Sequence, residues 1–304
     1  MSWIIFAIVI LTFLFLDLGV FHRKAHKMNT REAILTSLFW IAVSLLFNLW
    51  VYWTRGAESG IQFLTGYLIE KALSVDNLFV FLLIFSYFRI PEKYRHKVLF
   101  WGIFGAIVLR GIFIALGVVL IERFDWLLYI FGLFLIYSAY KLALEKDKEI
   151  HPDQNPLIIW LQKFVPISTK TETSHFFEKI NGVLHATPLF LALLSVESTD
   201  VIFALDSIPA IFGITKDPFI IYTSNIFAIL GLRALYFALA NLMDLFHHLH
   251  YGLAAILFFI GTKMLLKDVF HLPISWALGL IAIILALSVI ASLIWPKEEQ
   301  NKTK

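Results

Sequence analysis

Acidic side chains interrupt two of the most apolar stretches of the sequence, "YLIEKALSVDNLFVF" (67–81) and "LLSVESTDVIFALDSIPAIF" (193–212). A charge at the centre of a membrane span costs about 2.5–3.5 kcal/mol on insertion scales, and it usually faces a cavity or a partner. The residues that could do chemistry there are five carboxylates and one amide: Glu70, Asp76, Asn77, Glu197, Asp200 and Asp206.

These six side chains offer oxygen atoms and no sulfur. Carboxylate and amide oxygens are hard ligands, which suit Mn²⁺, Mg²⁺ or Ca²⁺ better than thiophilic ions. The sequence has no cysteine, so it contains no thiolate metal site and no thiol redox centre. The six residues therefore predict a site for a divalent cation, without an organic cofactor.

Two other roles for the same acids stay open at this point. They could pair with Lys71, Arg110 or Arg233 and simply fix helix packing. Pairing and metal binding do not exclude each other, because the bases could neutralise the empty site and release the acids when a cation arrives. Alternatively, the carboxylates carry protons, as a cation/proton exchanger would require.

Helical geometry sorts the acids of the second stretch. Residues three apart share a face, so Glu197 and Asp200 point the same way, whereas Asp206 points away from Glu197 on a straight helix. Proline inside a helix removes a backbone hydrogen bond and tends to kink it. We therefore expect a break before Pro209 that swings Asp206 toward the other acids, with Ser207 adding a hydroxyl.

The elements that position these residues are membrane-spanning helices. The chain has 304 residues, of which 60% are hydrophobic and 15% charged, against about 25% charged in soluble domains. Long apolar runs recur from end to end, which predicts an all-α polytopic bundle of about nine transmembrane helices. The segments are 2–20, 33–53, 61–87, 98–121, 124–144, 186–212, 219–243, 251–270 and 274–295.

An internal repeat relates two parts of this bundle, about 61–144 and 186–270. Asp76 aligns with Asp200, Arg110 with Arg233, and "YKLALEKD" (140–147) with "TKMLLKD" (262–268), which matches Lys141 to Lys263; the Asp-to-Arg spacing is 34 residues in the first copy and 33 in the second. Because each copy has three spans, the second enters the membrane from the opposite side. Inverted repeats with a site at their interface are a transporter architecture.

The distribution of Lys and Arg sets the orientation of this single transmembrane domain, 1–304. Most bases between the segments fall in loops on one side, and the linker 145–185 is the longest of them. The positive-inside rule places these loops in the cytoplasm, the N-terminus outside and the C-terminus inside. The linker contains an amphipathic stretch, "PLIIWLQKFVPI", that is expected to lie along the membrane surface.

Two further features each allow two interpretations. Asp17 ends the first span and is either a member of the site or, as we favour, a helix-end anchor. The cluster "DLFHHLH" (244–250) is either a place where metal is concentrated or, as we favour, a plain interfacial loop.

At "EKALSVDNLFVF" (70–81), "ESTDVIFALDSIPAIF" (197–212) and "DLGVFHRKAH" (17–26) the chain resembles the TerC family, over roughly residues 1–295. The resemblance implies an integral protein of a bacterial inner membrane that exports manganese, in a family named for tellurium resistance. Its motifs carry the cation-binding role to Glu70, Asp76, Asn77, Glu197, Asp200 and Asp206.

The sequence therefore predicts an exporter of divalent cations rather than an enzyme. The resemblance makes Mn²⁺ the transported substrate, with Mg²⁺ and Ca²⁺ as alternatives. The expected partners are the metal ion and the lipid bilayer, with no nucleic acid. The competing hypotheses are a tellurite- or oxyanion-handling protein, a membrane redox component, and a scaffold of a membrane stress-response complex.

Overall fold

A computed structural model describes residues 2–19, 30–144, 155–168, 174–239, 249–270 and 272–294. The first basic loop, the first part of the predicted linker and most of the histidine cluster lie outside these residues. So does the side chain of Asp17, although its backbone belongs to the first helix.

Helices account for most of the described chain. They are α1 (Ser2–Gly19), α2 (Thr30–Arg55), α3 (Ala57–Tyr87), α4 (Glu92–Arg123), α5 (Leu127–Leu144), α6 (Pro156–Gln162), α7 (Pro188–Phe212), α8 (Pro218–Leu230), α9 (Leu232–Leu239), α10 (Leu249–Leu265) and α11 (Ile274–Ile294). Each hydrophobic segment of the sequence overlaps a helix. The segment 219–243 is divided, because the chain turns at Gly231 between α8 and α9.

Six helical segments in the described part of the chain are long and apolar enough to cross a membrane: Arg31–Arg55, Glu92–Arg123, Leu127–Leu144, Pro188–Phe212, Pro218–Ala238 and Ile274–Ile294. Large apolar side chains such as Trp276 and Leu287 are exposed, whereas Glu70 and Arg110 are buried. A bilayer favours this reversal, because lipid solvates apolar surface and leaves charges to the interior. The chain is therefore a polytopic helical membrane protein.

The helices around the acidic residues pack in crossed pairs. α3 lies against α8, α4 lies against α7, and α3 also contacts α7. α5 and α10 pack closely along each other, and a Cβ on Gly132 would lie 2.9 Å from the carbonyl oxygen of Gly261. Small residues allow this close approach of two helix backbones in a membrane. The crossed pairs bring α3, α4, α7 and α8 around one central point.

The linker holds more structure than the sequence predicted. Strands β1 (Phe177–Ile180) and β2 (Val183–Ala186) form a short antiparallel hairpin, which the sequence analysis did not predict within this otherwise all-α architecture. The turn residues Asn181 and Gly182 both have positive φ, which suits a two-residue hairpin turn. The helix α6 begins next to α7, where Asn155 donates a 2.6 Å hydrogen bond to Ser198, and its Leu157 and Trp160 side chains are exposed.

Polar contacts join several loops at one end of the bundle. Arg55, at the end of α2, forms a 3.0 Å ion pair with Asp217, which caps α8. Asp125, between α4 and α5, pairs with Lys216 and with Lys267 just beyond α10. Hydrogen bonds from Lys216 and Lys267 lower the pKa of Asp125 to about 2. We call these five residues the inter-loop cluster; the loops with few bases thus lie on the same side.

Candidate functional site

The guanidinium of Arg110, on α4, lies at the point where the crossed helices meet. Its Nε donates to Asp200 Oδ2 at 3.2 Å and its Nη2 to Asp200 Oδ1 at 3.0 Å, which is the bidentate geometry of a strong pair. Its Nη1 donates to a carboxylate oxygen of Glu70. One base therefore joins acids from α3 and α7.

Two neutral side chains complete the surroundings of the guanidinium. Nη1 of Arg110 also donates to Asn225 Oδ1 at 2.6 Å and to Ser207 Oγ at 3.2 Å. The amide of Asn225 in turn donates from Nδ2 to Glu70 Oε2 at 3.1 Å. We call Glu70, Arg110, Asp200, Ser207 and Asn225 the central network; four helices contribute to it.

The central network is sealed from the surroundings of the protein. Arg110 is 1% exposed, Glu70 2% and Asp200 5%. When both carboxylates are ionised, they and the guanidinium together carry one net negative charge. Buried ion pairs have a large desolvation cost, and removing one partner typically destabilises a protein by about 3–5 kcal/mol. A network of this kind is costly to maintain for packing alone.

Glu197 lies next to the central network. Its carboxylate packs directly against Gly105 of α4, where any Cβ would overlap it. Its Oε2 is buried and has no hydrogen-bond partner among the residues that the structure describes. Asp200 is close enough to act on Glu197 electrostatically. The expectation that Glu197 and Asp200 face the same region therefore agrees with their positions.

Asp206 does not turn toward the other acids. α7 remains helical from Pro188 to Phe212, through Pro209, so the expected break before this proline is wrong. Asp206 instead accepts a 2.6 Å hydrogen bond from Ser138 of α5. On an unbroken helix this direction is the one that the 100° rotation per residue gives.

Asp76 and Asn77 occupy a separate part of α3. Asn77 is buried and Asp76 is partly buried. Neither is among the acceptors of Arg110 in the part of the chain that the structure describes. In the described ranges, no three acidic or histidine side chains are close enough to hold a metal ion together. Of the six predicted residues, only Glu70 and Asp200 meet at Arg110.

A break between α8 and α9 adjoins the central network. Lys71, the neighbour of Glu70, donates to the carbonyl oxygen of Ala228 at 3.2 Å. A Cβ at Gly231 would lie 2.8 Å from the Lys71 amine, so glycine gives this side chain its space. A small cavity nearby is lined in part by Asp200 and Arg233.

Sequence reasoning missed Asn225 and did not place Arg110 at the centre. Asn225 lies in "IYTSNIFAIL" (221–230), where a buried amide within an apolar run was the available signal. It is 0% exposed, and a buried amide requires partners. Of the histidine cluster, only His250 lies among the described residues, at the start of α10.

Exposed apolar helices around buried charged residues define a polytopic integral membrane protein. The family described as "Integral membrane protein TerC family" matches residues 55–301, and the chain belongs to this family. The resemblance drawn from the acidic motifs is thereby confirmed.

Relatives extend over nearly the whole chain. An "Uncharacterized membrane protein" of Myxococcus xanthus is 50% identical over 292 residues, which cover 96% of this chain and 92% of the relative. Proteins of Escherichia coli K12 and Salmonella typhi, both called "Putative membrane-bound redox modulator Alx", are 47% identical. The alignments cover 99% of this chain and 97% and 96% of these relatives. No solved structure matches the chain.

Proposed function

We propose that this protein is a transporter that exports divalent metal cations, with Mn²⁺ as the favoured substrate, rather than an enzyme. One observation carries the proposal: Glu70 of α3 and Asp200 of α7 converge on a single point inside the membrane domain. Intramembrane carboxylates are rare and mark ion pathways or proton relays. The pair supplies the negative charge that a dication requires.

The ligand chemistry supports a hard cation. The side chains around the convergence point offer carboxylate, amide and hydroxyl oxygens, and the sequence has no cysteine. Mn²⁺, Mg²⁺ and Ca²⁺ accept such ligands. Mn²⁺ itself and the outward direction come from the family resemblance, with Mg²⁺ and Ca²⁺ as alternatives.

The proposed architecture is a single transmembrane domain with an inverted repeat of three helical units, α3 to α5 and α7 to α10. The packing of α3 on α8 and of α4 on α7 is the exchange that a pseudo-twofold axis produces, and the pairs α3 with α7 and α5 with α10 lie across that axis. In this scheme nine helical segments cross the bilayer, α8 and α9 counting as one, and transport alternates access around the central network.

The proposed location is the bacterial inner membrane, with the N-terminus outside and the C-terminus in the cytoplasm. The inter-loop cluster unites the loops that carry few bases, and the positive-inside rule assigns that side to the exterior. The other predicted ligands, Asp76, Asn77, Glu197 and Asp206, then line the route to and from the central network.

The alternative functions have weaker support. An oxyanion would meet two carboxylates at the central network, whose net charge is negative. The redox role in the names of two relatives has no thiol to act through in this chain, because the sequence lacks cysteine. A scaffold role would make the carboxylates packing elements that tolerate replacement by amides.

The test is ion flux into proteoliposomes that contain purified protein. We expect Mn²⁺ uptake by the wild type, its loss in Glu70→Gln and Asp200→Asn, and its retention in Glu122→Gln, an exposed acid at the end of α4. Tellurite is measured in parallel. Movement of tellurite without Mn²⁺, or full Mn²⁺ flux in both carboxamide variants, would reject the proposal.

A further inference from the structure

We propose that Arg110 and the transported dication bind the same oxygen atoms in turn, and that Ser207 and Asn225 belong to the cation site. This proposal rests on the proposed transport function and adds how the site is regulated. Arg110 becomes a tethered cation that occupies the site whenever the transported ion has left it.

The geometry assigns the shared atoms. Arg110 donates to five oxygens, two from Asp200 and one each from Glu70, Ser207 and Asn225. These oxygens come from three helices and surround one planar group. Apart from the guanidinium, this set has the composition that hard dications take from proteins, namely carboxylates, an amide oxygen and a hydroxyl.

Charge explains why the two cations exclude each other. The two carboxylates carry two negative charges, which a dication neutralises fully and a guanidinium only by half. Both cations together would leave a buried excess of positive charge, and the lone pairs that one cation uses are lost to the other. In a low dielectric, such an imbalance is costly. The dication is therefore expected to displace Arg110, and Arg110 to return when the ion leaves.

The alternate occupation of the site by Arg110 and the dication affects the transport cycle. After the dication is released, the carboxylates must pass through the closed conformation without it. Arg110 reduces their uncompensated charge from two to one during this step. Without Arg110, the protein still carries Mn²⁺ in both directions, but its return without Mn²⁺ becomes slow.

The experiment compares two fluxes in proteoliposomes for the wild type, Arg110→Gln and Arg110→Lys. Net flux is measured as Mn²⁺ uptake into Mn²⁺-free vesicles, and exchange as uptake of radioactive Mn²⁺ into vesicles with equal unlabelled Mn²⁺ on both sides. We expect Arg110→Gln to lose most of its net flux while it keeps most of its exchange. Arg110→Lys, a point charge without the five-bond fork, is expected to keep net flux with a lower KM for Mn²⁺.

Thermal unfolding gives a second readout. We expect Mn²⁺ to raise the melting temperature of Arg110→Gln more than that of the wild type, because no tethered cation competes with it. Ser207→Ala is expected to raise the KM for Mn²⁺ with little change in melting temperature. Equal loss of both fluxes in folded Arg110→Gln, or an unchanged KM in Arg110→Lys if Arg110→Gln does not fold, would overturn the proposal.

The outcomes separate this inference from the proposed function. If the wild type moves Mn²⁺ in neither assay, both the proposed transport function and the proposed role of Arg110 are rejected. If the wild type transports Mn²⁺ but Arg110→Gln loses exchange and net flux alike, the transport function stands. The role of Arg110 as a tethered cation is then rejected.

Discussion

Arg110 of α4 and Asp200 of α7 form a bidentate ion pair at 3.2 and 3.0 Å in the centre of the helix bundle. The pair links α4 to α7 at the place where Arg110 also donates a hydrogen bond to Glu70 of α3. An ion pair this deeply buried either only stabilises the packing of the helices or takes part in transport. The predictions below distinguish these possibilities.

The first prediction concerns the stability of the pair. Asp200→Asn leaves Arg110 with Glu70 as its single charged partner, and we expect the variant to lose about 3–5 kcal/mol of unfolding free energy. The double variant Asp200→Asn with Arg110→Gln should lose less than the sum of the single variants, because contacting residues couple. Unfolding of the four proteins in detergent, followed by tryptophan fluorescence, measures the free energies of this double-mutant cycle. Strictly additive losses of unfolding free energy would show that Arg110 and Asp200 are not coupled.

The second prediction uses two glycines in different surroundings. Gly105→Ala forces the carboxylate of Glu197 aside, whereas a Cβ at Gly279 of α11 meets nothing within 4 Å. Alanine favours a helix over glycine by about 1 kcal/mol in both places. We expect Gly105→Ala to reduce Mn²⁺ transport and Gly279→Ala to leave it intact. Equal rates in the two variants would exclude Glu197 from the route.

The third prediction concerns opening at the inter-loop cluster. The sequence has no cysteine, so paired cysteines at Arg55 and Asp217 are unique labelling sites. A short bis-methanethiosulfonate linker, which joins R55C and D217C through two disulfide bonds, should stop transport, and reduction of those disulfides should restore it, because this end must open during alternating access. Each single cysteine variant, treated with the same linker, is the control. Undiminished flux in the linked protein would show that this end stays closed.

The fourth prediction concerns pH. The pKa of Asp125 is lowered to about 2 by Lys216 and Lys267. Since the folded pKa lies below the ordinary value, the contribution to stability is complete above about pH 4 and is lost as the pH falls through 2. The difference in melting temperature between wild type and Asp125→Asn should therefore be small, because the site is exposed, and constant from pH 5 to 8. A difference that changes across this range would mean that another group titrates there.

The sequence was sufficient to predict the helical segments and the meeting of Glu70 with Asp200. Long apolar runs bounded by polar residues mark the helices, and the acidic residues within two of those runs indicated that the runs meet at a shared site. It was also sufficient for the family, since the acidic motifs are long.

The surroundings of Asp206 and the position of Asn225 depend on how the helices pack in three dimensions. Helical periodicity gives the direction of Asp206 on α7, but not that Ser138 of α5 stands in that direction, and Pro209 stays within the helix instead of breaking it. Asn225 enters the network through the crossing of α3 and α8, which no local pattern encodes. The hairpin, by contrast, has a local signal in the sequence, because Asn181 and Gly182 form an Asn-Gly pair that favours a two-residue turn.

The central claim is that Glu70 and Asp200 hold the transported dication at the position of the Arg110 guanidinium. The most direct measurement is a titration of purified protein with Mn²⁺, in which the paramagnetic resonance signal of the unbound ion reports binding. We expect one saturable Mn²⁺-binding site in the wild type and in Glu122→Gln. We expect this site to be lost in Glu70→Gln and in Asp200→Asn. Equal Mn²⁺ binding by all four folded proteins, or no binding by the wild type, would contradict it.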